Sequence, residues 1–179
     1  MLYDKPPARF KQLDWTAKHE LLQKLKLTYK EFKDVKNRDC TRITDYDPLE
    51  NRVVEKSSRP AFIVSSTSWT EDEDFSILLT ALDHYEQICS RNSNLPNIVC
   101  IITGRGPLKE FYENEIKNKI WRCVEIVLPW LGSEDYPKLL GACDLGISLH
   151  KSSSNLDLPM KIVDMFGCCL PVCAFRYSW

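Results

Sequence analysis

The sequence predicts an α/β protein with an open, doubly wound parallel sheet, and two observations carry that prediction. From Pro60 onward, short and continuous apolar runs alternate with segments of helical periodicity. Such runs are typical of parallel strands that are buried on both faces. The connections are short, so right-handed crossovers and a Rossmann-like sheet are expected, with ligands at the carboxyl ends of the strands. The predicted strands are 61–64, 98–102, 124–128, 145–149 and 171–175.

Helices are predicted between these strands. Thr70 and Glu73 form a possible capping box at the start of the first helix, and a buried apolar stripe follows them. The second helix is expected over 108–119, and the third after Ser133. The fourth begins near Pro159, whose ring and missing N–H suit the first turn of a helix.

The first 59 residues have a different character. They hold 14 Lys and Arg against 10 Asp and Glu, whereas the rest holds 10 against 15. Apart from one helical stripe over 14–27, they show no strong periodicity. With 179 residues and 44% hydrophobic content, the chain suits a single domain. We therefore expect 1–59 to be a solvated linker or arm with a short helix, and 60–179 to be the ligand-binding domain.

Composition argues against several other classes. The opening residues lack a secretory pattern, and no apolar run is long enough to cross a bilayer, so a soluble chain is expected. The basic residues of the arm are interspersed with acids, which argues against nucleic-acid binding. The eight cysteines form no C-x-x-C pair, and no histidine is near the cluster of Cys168, Cys169 and Cys173. Reduced thiols are therefore expected, with neither a metal site nor a cofactor.

The most informative segment follows the fourth predicted strand. Ser152, Ser153 and Ser154 lead into a helix whose first turn holds Lys161. Free backbone N–H groups, hydroxyls and a cation at one point suit an anionic group such as a phosphate. The backbone there is contributed by Leu158, Pro159 and Met160.

Asp164 lies one turn beyond that point and could accept a hydrogen bond from a sugar hydroxyl beside the phosphate. A phosphate next to a ribose indicates a nucleotide. The plain alternatives are that Lys161 is a solvated helix residue, that Asp164 only pairs with Lys161, and that the serines form an ordinary flexible loop. Asp157 would repel a diphosphate and is expected to cap the helix instead.

A glycine turn follows the second strand at Gly104, Arg105, Gly106 and Pro107. Such a turn allows the backbone to approach a ligand closely, but it is more often just a tight turn. Arg105 could reach a phosphate or only solvent. Two tryptophans each have two possible roles. Trp69 could line the ligand cleft or anchor the hydrophobic core, and Trp130 could flank the base of a nucleotide or simply pack against the protein.

Residues 157–172, together with 65–75, closely resemble the chitobiosyldiphosphodolichol beta-mannosyltransferases, and the resemblance runs from about 59 to 174. It implies the second, donor-binding half of a GT-B glycosyltransferase that is incomplete after residue 174, without the acceptor-facing half and its membrane anchor. It also implies GDP-mannose as donor and a chitobiosyl diphosphate on dolichol as acceptor. Transfer would invert the sugar carbon at the cytosolic face of the endoplasmic reticulum, alongside other glycosyltransferases of that pathway. Lys161 and Asp164 would hold the donor phosphate and ribose.

The resemblance assigns no catalytic base, which would normally lie in the other half. Two functions therefore stay open. One is the mannosyltransferase or its donor-binding portion, with this chain alone inactive; the other is a non-catalytic nucleotide-binding or interaction module without an acceptor site. An NAD-linked enzyme is disfavoured because the first strand is followed by a serine-rich segment rather than a glycine fingerprint.

Overall fold

The structure is a computed structural model and describes residues 4–151 and 159–176. Within these ranges the helices are α1 (Trp15–Leu25), α2 (Ser76–Cys89), α3 (Lys109–Lys117), α4 (Asp135–Ala142) and α5 (Met160–Gly167), with a 3-10 helix at Lys30–Phe32. The strands are β1 (Thr44–Asp47), β2 (Arg52–Glu55), β3 (Ala61–Thr67), β4 (Ile98–Gly104), β5 (Val124–Val127), β6 (Leu145–Ser148) and β7 (Val172–Ala174). No helix within the described ranges is long and apolar enough to cross a membrane.

The main sheet is parallel and has the strand order β5-β4-β3-β6-β7. The chain moves outward from β3 through β4 and β5, and then returns to place β6 on the other side of β3. The winding direction therefore reverses between β3 and β6, and the crevice at their carboxyl ends is where such sheets bind ligands. The predicted doubly wound α/β fold is confirmed.

Helices cover both faces of this sheet, because successive side chains of a buried strand point to opposite sides. Phe62 and Val64 of β3 belong to a core shared with α1, α4 and α5. Ile63 belongs to a second core shared with α2 and α3. The continuous apolar runs in the sequence thus serve two separate cores.

The first 59 residues form part of the domain rather than the expected linker. Phe10, Leu22, Phe32 and Ile43 are buried in the same cluster as Phe62, and the rings of Phe32 and Phe62 lie 5.9 Å apart. The expected short helix is α1, which begins after Asp14 as N-cap. An antiparallel hairpin of β1 and β2, which the sequence did not reveal, completes the segment. The apolar residues of this segment are too sparse for a periodic signal. Some of them are buried against the sheet, whereas others, such as Val35 and Leu49, are exposed.

Ion pairs fix this segment to the sheet. The Arg59 guanidinium donates to both oxygens of Asp144 at 2.7 Å, and Asp144 also accepts from the backbone N–H of Phe62 at 2.7 Å. Within the segment, the Lys56 ammonium donates to the carboxylate of Asp34. Two-oxygen pairing of arginine with a carboxylate adds geometric specificity, so the junction with β3 is held in one orientation.

Acid is expected to weaken the segment through Asp34. Burial alone would raise the pKa of Asp34, but the Lys56 ammonium and the N–H groups of Asn37 and Lys36 lower it to about 2 from 3.8. A lowered carboxyl pKa contributes stability above pH 4 that is lost as the pH falls toward 2. In urea unfolding, Asp34→Asn should cost about 2 kcal/mol at pH 7 and much less at pH 2. An equal cost at both pH values would contradict this.

Candidate functional site

The carboxyl ends of β3 and β6, which we call the crevice because the winding of the sheet reverses there, lie beside the residues that follow both strands and the first turn of α5. Pro159 precedes the helix with φ −62° and ψ 122°, where its missing N–H leaves no intrahelical bond unmade. Met160 is half exposed at the same turn. Ser152, Ser153, Ser154, Asp157 and Leu158, to which roles were assigned from the sequence, lie outside the described residues.

Lys161 forms an ion pair across this crevice. Its ammonium donates to Oε1 of Glu73 at 2.6 Å, and Glu73 is only 3% exposed. The other carboxylate oxygen of Glu73 accepts from the backbone N–H of Ser68 at 2.8 Å and from the Thr67 hydroxyl. A buried carboxylate thus joins the end of β3 to the start of α5.

The predicted capping box is therefore wrong. Glu73 lies before the helix, since α2 begins only at Ser76, and its carboxylate is already satisfied by Ser68, Thr67 and Lys161. Asp74 serves the helix start instead, accepting from the Ser76 N–H at 3.0 Å. The spacing of Thr70 and Glu73 fits a capping box, but the Glu73 carboxylate binds Lys161, which is distant in the sequence, instead of a helix N–H group.

A second contact joins the same two segments. His150 follows β6, and its Nδ1 lies 3.0 Å from Oδ2 of Asp72. The backbone N–H of Lys151 donates to the Asp72 carbonyl at 2.9 Å, and Glu73 and His150 form an isolated antiparallel bridge. The sequence analysis assigns no role in the site to Asp72 or His150. Their positions soon after β3 and β6 are the feature of the sequence that could have indicated them.

Asp164 does not pair with Lys161, because the Lys161 ammonium donates to Glu73 instead. Burial raises the pKa of Asp164, and the positive charge of Arg9 opposes that rise. Close by, the Tyr136 hydroxyl donates to Ser66 Oγ at 3.1 Å, and burial raises the pKa of Tyr136 to about 12. A half-buried carboxylate of this kind is a strong acceptor for a hydroxyl donor.

The glycine turn after β4 is set by the neighbouring strand. Gly104 has φ 144°, and a Cβ there would lie 1.8 Å from the Thr67 carbonyl oxygen. A Cβ at Gly106 would lie 1.7 Å from the Ser68 carbonyl oxygen. Both glycines thus allow the turn to pack against the end of β3, which is the tight-turn alternative.

Arg105 is exposed at this turn and lies over Trp130, with its guanidinium carbon 3.6 Å from the ring centroid. Trp130 is half exposed just beyond β5. The pair therefore forms a flat, cationic surface at the outer part of the same sheet edge. A role for Arg105 at a phosphate stays a prediction.

Trp69 anchors the core rather than lining the cleft. It is buried, and its ring lies 4.7 Å from that of Phe75 and 5.8 Å from that of Tyr112. The neighbouring hydroxyls are also used internally, since Ser65 donates to the Ile147 carbonyl at 3.0 Å. The hydroxyls of Ser65 and Thr67 are therefore engaged within the fold.

Comparison with known proteins places this arrangement among the glycosyltransferases. No family model matches the chain. The human and mouse proteins named chitobiosyldiphosphodolichol beta-mannosyltransferase are 49% and 52% identical to it over 99% of its length, which spans 39% and 38% of those proteins. The human putative glycosyltransferase ALG1L2 is 41% identical over 99% of this chain and 79% of its own length.

The chain therefore spans about two fifths of the two longer relatives and most of the shorter one. Identity of this order over nearly the whole chain includes the segments that form the crevice, from β3 to β7. The chain belongs to the chitobiosyldiphosphodolichol beta-mannosyltransferase family of glycosyltransferases.

Proposed function

We propose that this chain is the donor-binding part of a GT-B beta-mannosyltransferase and binds GDP-mannose in the crevice between β3 and β6. The observation that carries the proposal is the position of Lys161. It places a cation in the first turn of α5, at the point where the winding of the sheet reverses and at a helix start, whose first N–H groups have no acceptor one turn earlier in the helix. Membership of the family supports the choice of a nucleotide sugar.

In the proposed reaction, mannose moves from GDP-mannose to dolichyl-diphosphate chitobiose in a beta-1,4 linkage. The bond between the sugar carbon and the diphosphate oxygen breaks as an acceptor hydroxyl oxygen attacks from the opposite face. The hydroxyl proton passes to a base that we do not assign. GDP leaves with an added negative charge, which Lys161 and the helix N–H groups stabilise in the transition state.

The remaining residues have positioning roles in this proposal. Asp164 accepts a hydrogen bond from a ribose hydroxyl, which its half-buried carboxylate suits. Ser152, Ser153, Ser154 and the backbone of 158–160 surround the diphosphate, and Gly104 and Arg105 approach the donor from β4. Neither a metal nor a cofactor is part of the proposal.

We place this function at the cytosolic face of the endoplasmic reticulum. The names of the human and mouse relatives specify a dolichol-linked acceptor, which is a membrane lipid. In the proposal, the acceptor is bound outside the residues described here, and other glycosyltransferases that act on the same lipid are the natural partners.

Replacing Lys161 by alanine is expected to weaken the binding of GDP and GDP-mannose by about 10- to 100-fold, the usual value of a charge-assisted hydrogen bond. Calorimetric titration of the purified chain measures this directly. UDP and ADP are the specificity controls, and the wild-type chain should prefer the guanine nucleotides over both.

Lys117→Ala is the matched control, because it removes the same charge from an exposed position on α3. It should leave the affinity within about twofold of the wild-type value, since a distant surface charge is largely screened. A folded wild-type chain that binds neither GDP nor GDP-mannose would contradict the donor-site proposal. That result would favour a module without donor-binding activity.

A further inference from the structure

Glu73 has an unusual position for a carboxylate. It lies in the loop between β3 and α2 and is almost completely buried, although this loop borders the crevice. Its Oε2 accepts from the Ser68 N–H and the Thr67 hydroxyl. Only Oε1 faces α5, and it takes the Lys161 ammonium at 2.6 Å. One side chain therefore connects the end of β3 to the cation of the crevice.

The burial of Glu73 decides how this ion pair behaves when an anion arrives. A buried carboxylate without its counter-charge is strongly unfavourable, so Lys161 is expected to stay on Glu73 rather than leave it. The ammonium has three N–H donors, of which Glu73 takes one. The Lys161 side chain is 29% exposed, and among the described residues its ammonium donates to Glu73 alone.

The loop that carries Glu73 is itself fixed. Asp72 accepts from the Lys151 N–H through its carbonyl and contacts His150 through its carboxylate. Both contacts lie at one end of segment 152–158, and Lys161 lies at the other. Asp72 and Glu73 thus contact the described residues that flank 152–158 in the sequence.

We infer that Glu73 is a positioning residue, which holds the Lys161 ammonium in place for the donor diphosphate. This inference rests on the proposed function. A free lysine side chain samples many rotamers and would lose that freedom when it binds phosphate, whereas a lysine held by Glu73 has already lost it. Protein kinases use a lysine and glutamate pair in the same way to prepare a phosphate-binding lysine.

Glu73→Gln tests the inference while it preserves the shape of the loop. The amide oxygen can still accept from Ser68 and Thr67, but the amide then turns its NH2 group toward Lys161 and releases the ammonium. We expect GDP to bind about 5- to 10-fold more weakly to this variant by calorimetry. Glu71→Gln removes the same charge from an exposed position in the same loop and should leave the affinity unchanged.

A double-mutant cycle separates positioning from a purely structural role. Glu73→Gln should cost nothing further in a chain that already carries Lys161→Ala, because the lysine it positions is gone. The double variant also avoids the unpaired buried carboxylate of the single Lys161→Ala variant, so it stays informative if that variant unfolds. An equal loss of affinity in both backgrounds would overturn the inference, as would unchanged or tighter GDP binding in Glu73→Gln alone.

A second readout needs no nucleotide. The rate at which an amine-acylating ester labels Lys161, followed by peptide mass spectrometry with Lys117 as internal standard, should rise several-fold in Glu73→Gln. An unchanged rate would show that Glu73 does not hold Lys161 and would overturn the inference even if GDP binds. If the rate rises but the wild-type chain binds no guanine nucleotide, the proposed function fails, and with it a role for Glu73 in donor binding.

Discussion

Replacing Phe32 by alanine is expected to lower the free energy of unfolding by about 3–5 kcal/mol. Phe32 is completely buried, and its ring packs against Phe62 of the central strand β3 and against Tyr29. Truncation removes the apolar contact and leaves a cavity between the first 59 residues and the sheet. The loss would be a large part of the stability of a typical domain, which is about 5–15 kcal/mol.

Urea unfolding followed by circular dichroism measures this loss. Phe111→Ala is the matched control, because Phe111 is 58% exposed on α3 and its truncation should cost less than about 1 kcal/mol. If the two variants lost the same stability, the first 59 residues would behave as a separate arm. The expected difference instead makes them part of one cooperative unit with the sheet.

The second large effect is expected at Gly104. An alanine there would need φ near 144°, which side chains rarely adopt, and its Cβ would meet the Thr67 backbone at 1.8 Å. Strain and overpacking of this kind each cost about 1–3 kcal/mol, so Gly104→Ala should destabilise the chain by about 3–5 kcal/mol. Thr67 is its partner in the β3–β4 register, so the neighbouring strand cannot move aside cheaply.

Gly132→Ala is the matched control, because it makes the same substitution at a position where an added Cβ would have no atom within 4 Å. It should change the unfolding free energy by less than about 0.5 kcal/mol. Similar stabilities for the two alanine variants, measured by urea unfolding, would show that the turn does not need a glycine for packing. The close approach to β3 would then require another explanation.

The site was only partly visible in the sequence. Lys161 was recognised because the first turn of a helix has a local signature of proline and nearby small residues. Its partner Glu73 is 88 residues away, and local spacing favoured a capping role for it. Asp72 and His150 were missed for the same reason, since their contact exists only where β3 and β6 lie side by side.

The sequence by itself determined the parallel sheet, because strands buried on both faces need continuous apolar runs and their helices need periodic ones. It also predicted α1 through its apolar stripe. The tertiary structure alone decided where the first 59 residues lie, because isolated residues such as Phe32 become a core only when β3 is opposite them. It decided the role of Glu73 in the same way. Burial raises the cost of an unpaired charge, and which charge is buried depends on contacts between residues far apart in the chain.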